Sequence, residues 1–174
     1  MVIDFQNDFT PGGALAVENG DEIAERINEL AASGRFDLVV ATRDWHPAEH
    51  GSFAEQGGPW PVHCVQDTHG AELHAALDRS RIDQIVDKGQ NPGTEGYSGF
   101  DETPLADLLR ERGVDSVTVV GLATDYCVKN TALDALREGL RVTVDSTAVR
   151  GVDVNPGDSE RALDELRTAG AEVA

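Results

Sequence analysis

The sequence predicts an α/β protein with three layers, in which a mainly parallel central sheet lies between helices. The first observation is that short apolar runs rich in β-branched residues recur along the 174-residue chain. The second is that amphipathic helical patterns lie between these runs. Such alternation is typical of parallel sheets, because each crossover helix covers a face of the sheet. Since the chain has the length of one domain and contains no repeat or linker, we expect a single domain over residues 1–174.

Six apolar runs are predicted to be strands because they are short and end at turn or helix signals. The predicted strands comprise residues 2–3, 38–41, 84–86, 116–120, 141–144 and, at an edge of the sheet, 172–173. The run at 116–120 is rich in β-branched residues, which favour strands.

Five stretches between these runs are predicted to be helical. Ile23, Ile27 and Leu30 fall on one face of the first. Thr103 followed by Pro104 predicts the start of the third, because proline is favoured at the first helical position. The predicted helices comprise residues 21–32, 72–77, 104–113, 128–138 and 159–168.

The charge balance excludes some classes of partner. The chain carries 32 acidic and 14 basic residues, for a formal net charge of −18. Phosphate groups would be repelled, so we expect neither nucleic acid nor an anionic membrane as a partner. No apolar run approaches the roughly 20 residues that span a bilayer. Because the N-terminus also lacks the features of a signal peptide, we expect a cytoplasmic location.

Charged or reactive residues follow five of the predicted strands. Asp4, Asp44 and Lys88 come directly after the first three, Cys127 follows the fourth after a short turn, and Asp145 ends the fifth. Open α/β sheets bind ligands outside the carboxyl ends of their strands. We therefore expect these five side chains at one rim of the sheet.

A group of potential metal ligands lies in the longest irregular region. Asp44 and His46 are two residues apart, so in extended backbone their side chains point the same way. His63 follows in the loop, and His50 is an open fourth candidate. Imidazole with carboxylate suits zinc, iron or manganese better than calcium or magnesium. The alternative is an acidic surface loop that happens to contain histidine.

Cys127 is the candidate nucleophile. It lies where the chain leaves a strand, turns and enters a helix, and free N–H groups at a helix start favour a thiolate and could hold an oxyanion. Lys88 nearby would lower the pKa of the thiol further. Asp4 could accept the thiol proton and return it to a leaving amine. The alternatives are a buried cysteine that only packs, a solvated lysine and a turn aspartate.

Six segments carry a family resemblance. They are Asp4–Phe9, Asp44–Phe53, Gly57–Val65, Lys88–Gly89, Tyr97–Phe100 and Gly121–Val128. In this order they resemble the nicotinamidases, a branch of the isochorismatase-like cysteine hydrolases, over nearly the whole chain. The Asp-Lys-Cys set marks the superfamily, and the Asp-Trp-His and Trp-Pro-x-His segments indicate the nicotinamidase branch.

The resemblance implies an isochorismatase-like hydrolase fold and a catalytic triad. The implied triad is Asp4, Lys88 and Cys127. The implied cofactor is one divalent transition metal, with zinc favoured over iron or manganese. Its implied ligands are Asp44, His46 and His63, with His50 a ligand only in some members of the family.

The resemblance also implies how the substrate is held. Leu122–Ala123 is expected to be a cis peptide that directs the N–H groups of Ala123 and Cys127 at the oxyanion. Phe9 and Trp60 match residues that pack against a pyridine ring.

The implied activity is hydrolysis of nicotinamide to nicotinate and ammonia, with pyrazinamide as a further substrate and the metal orienting the ring. Cys64 is interpreted as a packing residue. One alternative is another amidase of the superfamily, acting on an N-carbamoyl or ureido substrate. Another is a non-catalytic metal-binding or redox-sensing module that uses Cys127. The expected partner is a small-molecule substrate, and assembly into a homo-oligomer stays open.

Overall fold

The central feature of the computed structural model, which describes residues 1–174, is a six-stranded sheet in which every neighbouring pair is parallel. Its order is β3-β2-β1-β4-β5-β6. The strands are β1 (Val2–Ile3), β2 (Val40–Asp44), β3 (Gln84–Lys88), β4 (Ser116–Leu122), β5 (Arg141–Arg150) and β6 (Glu172–Val173). The predicted α/β class and parallel sheet are confirmed.

Four α-helices cover the two faces of the sheet. They are α1 (Ala24–Ala32), α2 (Leu105–Glu111), α3 (Lys129–Arg137) and α4 (Asp158–Ala169). The apolar side chains of α1 share one buried cluster with Val2 of the sheet, whereas those of α2, α3 and α4 share the other with Ile3. Successive residues of a strand point to opposite faces, so the two residues of β1 contribute to both layers. None of the helices is long and apolar enough to cross a bilayer.

The predicted helix at 72–77 is wrong. A 3₁₀ turn covers His69–Ala71 instead, and Leu73 then forms an isolated antiparallel bridge with Gln6. Leu73 and Leu77 are both buried in the core. An isolated helix of this length is unstable, so tertiary packing decides the backbone here.

Four strands extend beyond their predicted ends: β3 reaches Lys88 and β4 reaches Leu122, and the extensions of β2 and β5 are longer. β2 begins at Val40 and continues to Asp44, because its last residues pair in register with Asp87 and Lys88 of β3. β5 continues through Arg150 after a register shift against β4. Both extensions contain polar residues, which the apolar pattern alone does not assign to a strand.

Gly121 lets β1 and β4 approach closely near the rim. Its φ is +115°, and a Cβ at this position would lie 2.1 Å from the carbonyl oxygen of Ile3. A residue with a side chain would therefore clash with the neighbouring strand. This contact places the end of β4 beside the residue that follows β1, which is Asp4.

Candidate active site

Lys88 is the centre of a buried polar cluster at the carboxyl end of the sheet. It is the last residue of β3 and is fully buried. Its Nζ lies 2.8 Å from Asp4 Oδ2 and donates to Cys127 Sγ at 3.4 Å and to the carbonyl oxygen of Gly96 at 2.9 Å. Asp4 follows β1 in a left-handed conformation, with φ of +44°, and accepts a hydrogen bond from Thr42 Oγ1 at 2.7 Å. Three separate strands thus bring these groups together.

Cys127 lies in a π-helical turn, Thr124–Val128, between β4 and α3. The surroundings of its Sγ oppose the thiolate character expected from the helix start. Burial raises the pKa of the Cys127 thiol well above its usual value, and the positive charge of Lys88 only partly opposes this. Desolvation disfavours the charged thiolate, and nearby Asp4 and Asp44 add further negative charge. Both effects favour the thiol form, with Asp4 beside it as a proton acceptor.

The charges of this cluster depend on one another. Burial raises the pKa of Asp4, while the Lys88 ammonium acts to lower it. Burial alone would lower the pKa of Lys88, but Asp4 and Asp44 hold it well above its usual value. Lys88 therefore stays charged, and its ammonium is the stabilising counter-ion of the cluster.

A second group of polar side chains has the composition of a transition-metal site. Ligand atoms of Asp44, His46 and His63 all lie within 4.8 Å of one another, and all three residues are buried. His46 Nδ1 lies 2.8 Å from the carbonyl oxygen of Gly89, and His63 Nδ1 lies 2.7 Å from that of Pro61. A carbonyl can only accept, so each Nδ1 carries the proton and each Nε2 keeps a lone pair for a metal. The donor set therefore fits a transition metal.

Asp44 joins the two groups. Its Oδ1 lies 2.5 Å from Lys88 Nζ, and its Oδ2 lies 3.5 Å from His46 Nε2. Burial acts to raise the pKa of Asp44, but the Lys88 ammonium holds it well below the usual range. The carboxylate is therefore ionised, as metal binding requires.

His50 lies beside the group formed by Asp44, His46 and His63 but is not one of its three members. Its ring stacks on that of His46 with centroids 3.9 Å apart. Its Nδ1 is 2.7 Å from Ser52 Oγ, while its buried Nε2 has no hydrogen-bond partner. Burial lowers the pKa of His50 to about 4, so the ring is neutral. An unpartnered buried nitrogen beside this group supports the fit to a metal.

An apolar pocket opens onto both groups. It contains about 350 Å³ of space, part of it open to solvent. It is lined by Phe9, Leu15, Asp44, Trp60, His63, Tyr97, Ala123, Tyr126, Cys127 and Val152. Phe9 and Trp60, which the resemblance assigns to packing against a pyridine ring, both lie in the wall. A planar aromatic ring with a polar substituent is the kind of ligand that such a lining suits.

Tyr97 and Tyr126 are wall residues that the sequence analysis did not assign. Trp60 Nε1 donates to Tyr97 Oη at 2.9 Å, and the Trp60 ring meets that of Tyr126 edge to face at 5.0 Å. The available signals were weak: Tyr126 directly precedes Cys127, and Tyr97 begins one of the six similar segments.

The backbone before Cys127 has the expected form. The Leu122–Ala123 peptide bond is cis. The N–H of Ala123, a residue of the pocket wall, donates no hydrogen bond within the protein. It is therefore free to bind an oxyanion in the pocket.

Comparison with known proteins places this site in a family. The Isochorismatase domain matches residues 1–174. The chain belongs to this isochorismatase family. It is 46% identical to the nicotinamidase/pyrazinamidase of Mycobacterium tuberculosis, over 99% of this chain and 96% of the relative. It is 43% identical to the nicotinamidase of Escherichia coli, over 98% and 91%.

A solved structure of a similar protein supports the same family assignment. The pyrazinamidase of Pyrococcus horikoshii, crystallised in complex with zinc, is 48% identical, and the match covers 99% of this chain and 96% of that one with a TM-score of 0.91. These similarities confirm the family resemblance and the prediction that this isochorismatase-family chain is an enzyme.

Asp145 is the one residue predicted at the rim that lies outside the candidate active site. Because β5 continues to Arg150, Asp145 is inside the strand rather than at its end. Its carboxylate accepts hydrogen bonds from Arg26 on α1, with Nη2 at 2.8 Å, and from Thr147 Oγ1 at 2.6 Å. It therefore ties α1 to the sheet.

Cys64 is fully buried in the same core cluster as α1. Its backbone N–H donates to Asp8 Oδ2 at 2.7 Å. Burial raises the pKa of its thiol well above the usual value. These contacts agree with the interpretation of Cys64 as a packing residue.

Proposed function

We propose that this protein is a nicotinamidase that hydrolyses nicotinamide to nicotinate and ammonia, and that pyrazinamide is a further substrate. The names of the M. tuberculosis and E. coli relatives support this activity. The observation that carries the proposal is that one aromatic-walled pocket reaches both Cys127 and the Asp44–His46–His63 group. A ring and its carboxamide can then be held at the same time.

In the proposed mechanism Cys127 is the nucleophile. As its Sγ attacks the carboxamide carbon, Asp4 accepts the thiol proton and then transfers it to the departing nitrogen, which leaves as ammonia. The contact of 2.8 Å between Lys88 Nζ and Asp4 supports the role of Lys88 in stabilising the separated charges. The N–H groups of Ala123 and Cys127 hold the oxyanion. Water then cleaves the thioester, releasing nicotinate and restoring the thiol.

We propose that Asp44, His46 and His63 hold one divalent transition metal, with His50 as an open fourth ligand. Zinc is favoured over iron or manganese because the P. horikoshii relative was crystallised with zinc. When bound, the ion would offer a Lewis-acidic position to the pyridine nitrogen and so orient the ring. Phe9 and Trp60 would pack against the ring faces and exclude water.

The remaining features of the proposal concern context. The chain acts as a single hydrolase domain, in the cytoplasm, on a small molecule. Its net charge of −18 opposes binding to nucleic acid or to an anionic membrane.

Ammonia release from purified protein tests the proposal. We expect release from nicotinamide and pyrazinamide and none from N-carbamoyl or ureido compounds. Turnover of a ureido compound alone would favour the related amidases, and no turnover of any amide would favour a metal-binding or redox-sensing module.

A further inference from the structure

Gln6 has a buried side-chain amide whose nitrogen and oxygen are both hydrogen-bonded. The residue is fully buried two positions after Asp4. Its Nε2 donates to the carbonyl oxygens of Asp44 at 2.8 Å and Ala71 at 2.9 Å, and its Oε1 accepts from the N–H of Asp44 at 2.8 Å. Exchanging the amide oxygen and nitrogen would place the oxygen against two carbonyl oxygens and the NH₂ group against an N–H. The hydrogen bonds therefore determine the orientation of the amide.

Gln6 replaces a missing strand beside Asp44. β1 ends at Ile3, and the last main-chain hydrogen bond from its side of the sheet runs from Asp4 N to Thr42 O at 3.2 Å. Beyond that point Asp44 still has an N–H and a carbonyl on this edge. Both are bound by the amide of Gln6. A side chain thus continues the ladder for one more residue.

The direction of the Asp44 carboxylate depends on that backbone. The carboxylate lies between two neighbours, Lys88 Nζ at 2.5 Å and His46 Nε2 at 3.5 Å. A small rotation of the Asp44 main chain would move the carboxylate away from one of them. Residues that orient a ligand in this way commonly change metal affinity by about 10–100-fold when they are removed.

We propose that Gln6 is a positioning residue for the metal group: by holding both main-chain groups of Asp44 it sets the affinity of the site, without touching metal or substrate. This inference rests on the proposed metal site. The amide of Gln6 is engaged with the main chain of Asp44 and Ala71, so its role is to position Asp44 and not to bind a ligand itself.

The test compares two amide deletions. Gln6→Met keeps the length of the side chain and removes all three hydrogen bonds. Asn28→Leu is the matched control. The side chain of Asn28 also both donates to and accepts from the main chain, with Ala76 O and Asp78 N each at 2.8 Å. These bonds join α1 to a surface segment and not to the metal group. We would measure Zn²⁺ affinity by competition with a chromophoric chelator, and the absorption spectrum of bound Co²⁺.

We expect Gln6→Met to bind Zn²⁺ about 10–100-fold more weakly than the wild type, with a changed Co²⁺ spectrum. Asn28→Leu should bind with unchanged affinity. Wild-type affinity in Gln6→Met, or an equal loss in Asn28→Leu, would overturn the inference. If Gln6→Met does not fold, Gln6→Glu is measured instead, since it keeps an acceptor for Asp44 N–H and loses the donors. Failure of both to fold would also overturn it, because Gln6 would then serve the whole fold.

The wild-type protein separates this inference from the proposed function. Nicotinamide hydrolysis without metal binding would overturn the role of Gln6 and leave the hydrolase intact. Metal binding without hydrolysis would overturn the proposed activity while the comparison of the two variants still decides the role of Gln6.

Discussion

Asp44 and Lys88 contact each other through both their main chains and their side chains. Their main chains pair in register in β2 and β3, and Lys88 Nζ lies 2.5 Å from Asp44 Oδ1. The same lysine contacts Asp4 and Cys127, and the same carboxylate lies beside His46. The candidate metal group and the candidate nucleophile therefore share one ion pair, and a change at either should be felt at the other.

Replacing Cys127 should abolish turnover and leave the fold intact. Cys127→Ala removes the only thiol that lines the pocket, so ammonia release from nicotinamide should fall to background while the circular dichroism spectrum is retained. Cys64→Ser is the control, because Cys64 is fully buried in the core and should be needed only for packing. Near-normal activity of Cys127→Ala would show that another group is the nucleophile.

Removing the metal should weaken substrate binding more than it weakens the chemical step. After dialysis against a chelator we expect the KM for nicotinamide to rise, and re-addition of Zn²⁺ to restore it. The physical reason is that in the proposed mechanism the ion orients the ring, whereas Cys127 and Asp4 carry out bond cleavage. Elemental analysis that finds no metal in fully active protein would exclude this role.

His50→Ala decides whether His50 binds the metal directly. The unpartnered Nε2 of His50 predicts a ligand, and its loss should then lower metal affinity. If His50 only packs on His46, occupancy should stay near that of the wild type. Equilibrium dialysis at limiting Zn²⁺ distinguishes the two results, and His69→Ala, at an exposed histidine, is the control.

Benzamide should be a very poor substrate when the metal is present. It has the shape and carboxamide of nicotinamide but no ring nitrogen, so the open position on the metal stays unfilled by substrate. A site built around a polar partner rejects an analogue that lacks it by a factor on the order of 10⁴. Pyrazinamide keeps an equivalent nitrogen and should react. Comparable kcat/KM for benzamide and nicotinamide would mean that the metal does not contact the ring.

The ion pair between Asp145 and Arg26 should stabilise the protein at neutral pH but not in acid. Burial acts to raise the pKa of Asp145, but the hydrogen bonds from Thr147 and Arg26 outweigh it and lower the pKa below its usual value. A lowered folded-state pKa gives stability that is present above the unfolded-state pKa, about 4, and is lost as the pH falls through the folded-state value.

Asp145→Asn should therefore lower the free energy of unfolding by about 1–2 kcal/mol at pH 7, a value discounted because Arg26 is partly exposed. The difference from the wild type should shrink in urea titrations below about pH 4. Asp164→Asn, which breaks an exposed pair with Arg167, should change stability by less than about 0.5 kcal/mol. An equal loss for Asp145→Asn at pH 7 and pH 3 would contradict a charge effect.

The sequence predicted the parts of the site that depend on topology. Asp4, Asp44, Lys88 and Cys127 were assigned to one rim because parallel strands direct their carboxyl ends to one edge. Asp145 was misassigned for the same reason, since its strand continues through polar residues that the apolar pattern does not count.

Three further features could not be predicted from local sequence, each for a different physical reason. The helix predicted at 72–77 has a local pattern that core packing overrides, and a short segment has little intrinsic preference to resist it. A helix start favours a thiolate at Cys127, but the depth of burial, which raises the pKa of the thiol, is a property of the folded chain that the sequence does not show. The pocket walls formed by Tyr97 and Tyr126 come from separate segments and share no local pattern.

The brevity of β1 has a consequence for how the protein folds. Val2 pairs with Ala41 on one side and with Val120 on the other, so this two-residue strand joins the β3-β2 pair to the β4-β5-β6 sheet. Both pairings close long loops, whose entropy must be lost before the contacts are gained. Neither half of the sheet can hold Asp4 beside Lys88 and Cys127 by itself. The proposed triad can thus assemble only once both non-local pairings of β1 have formed.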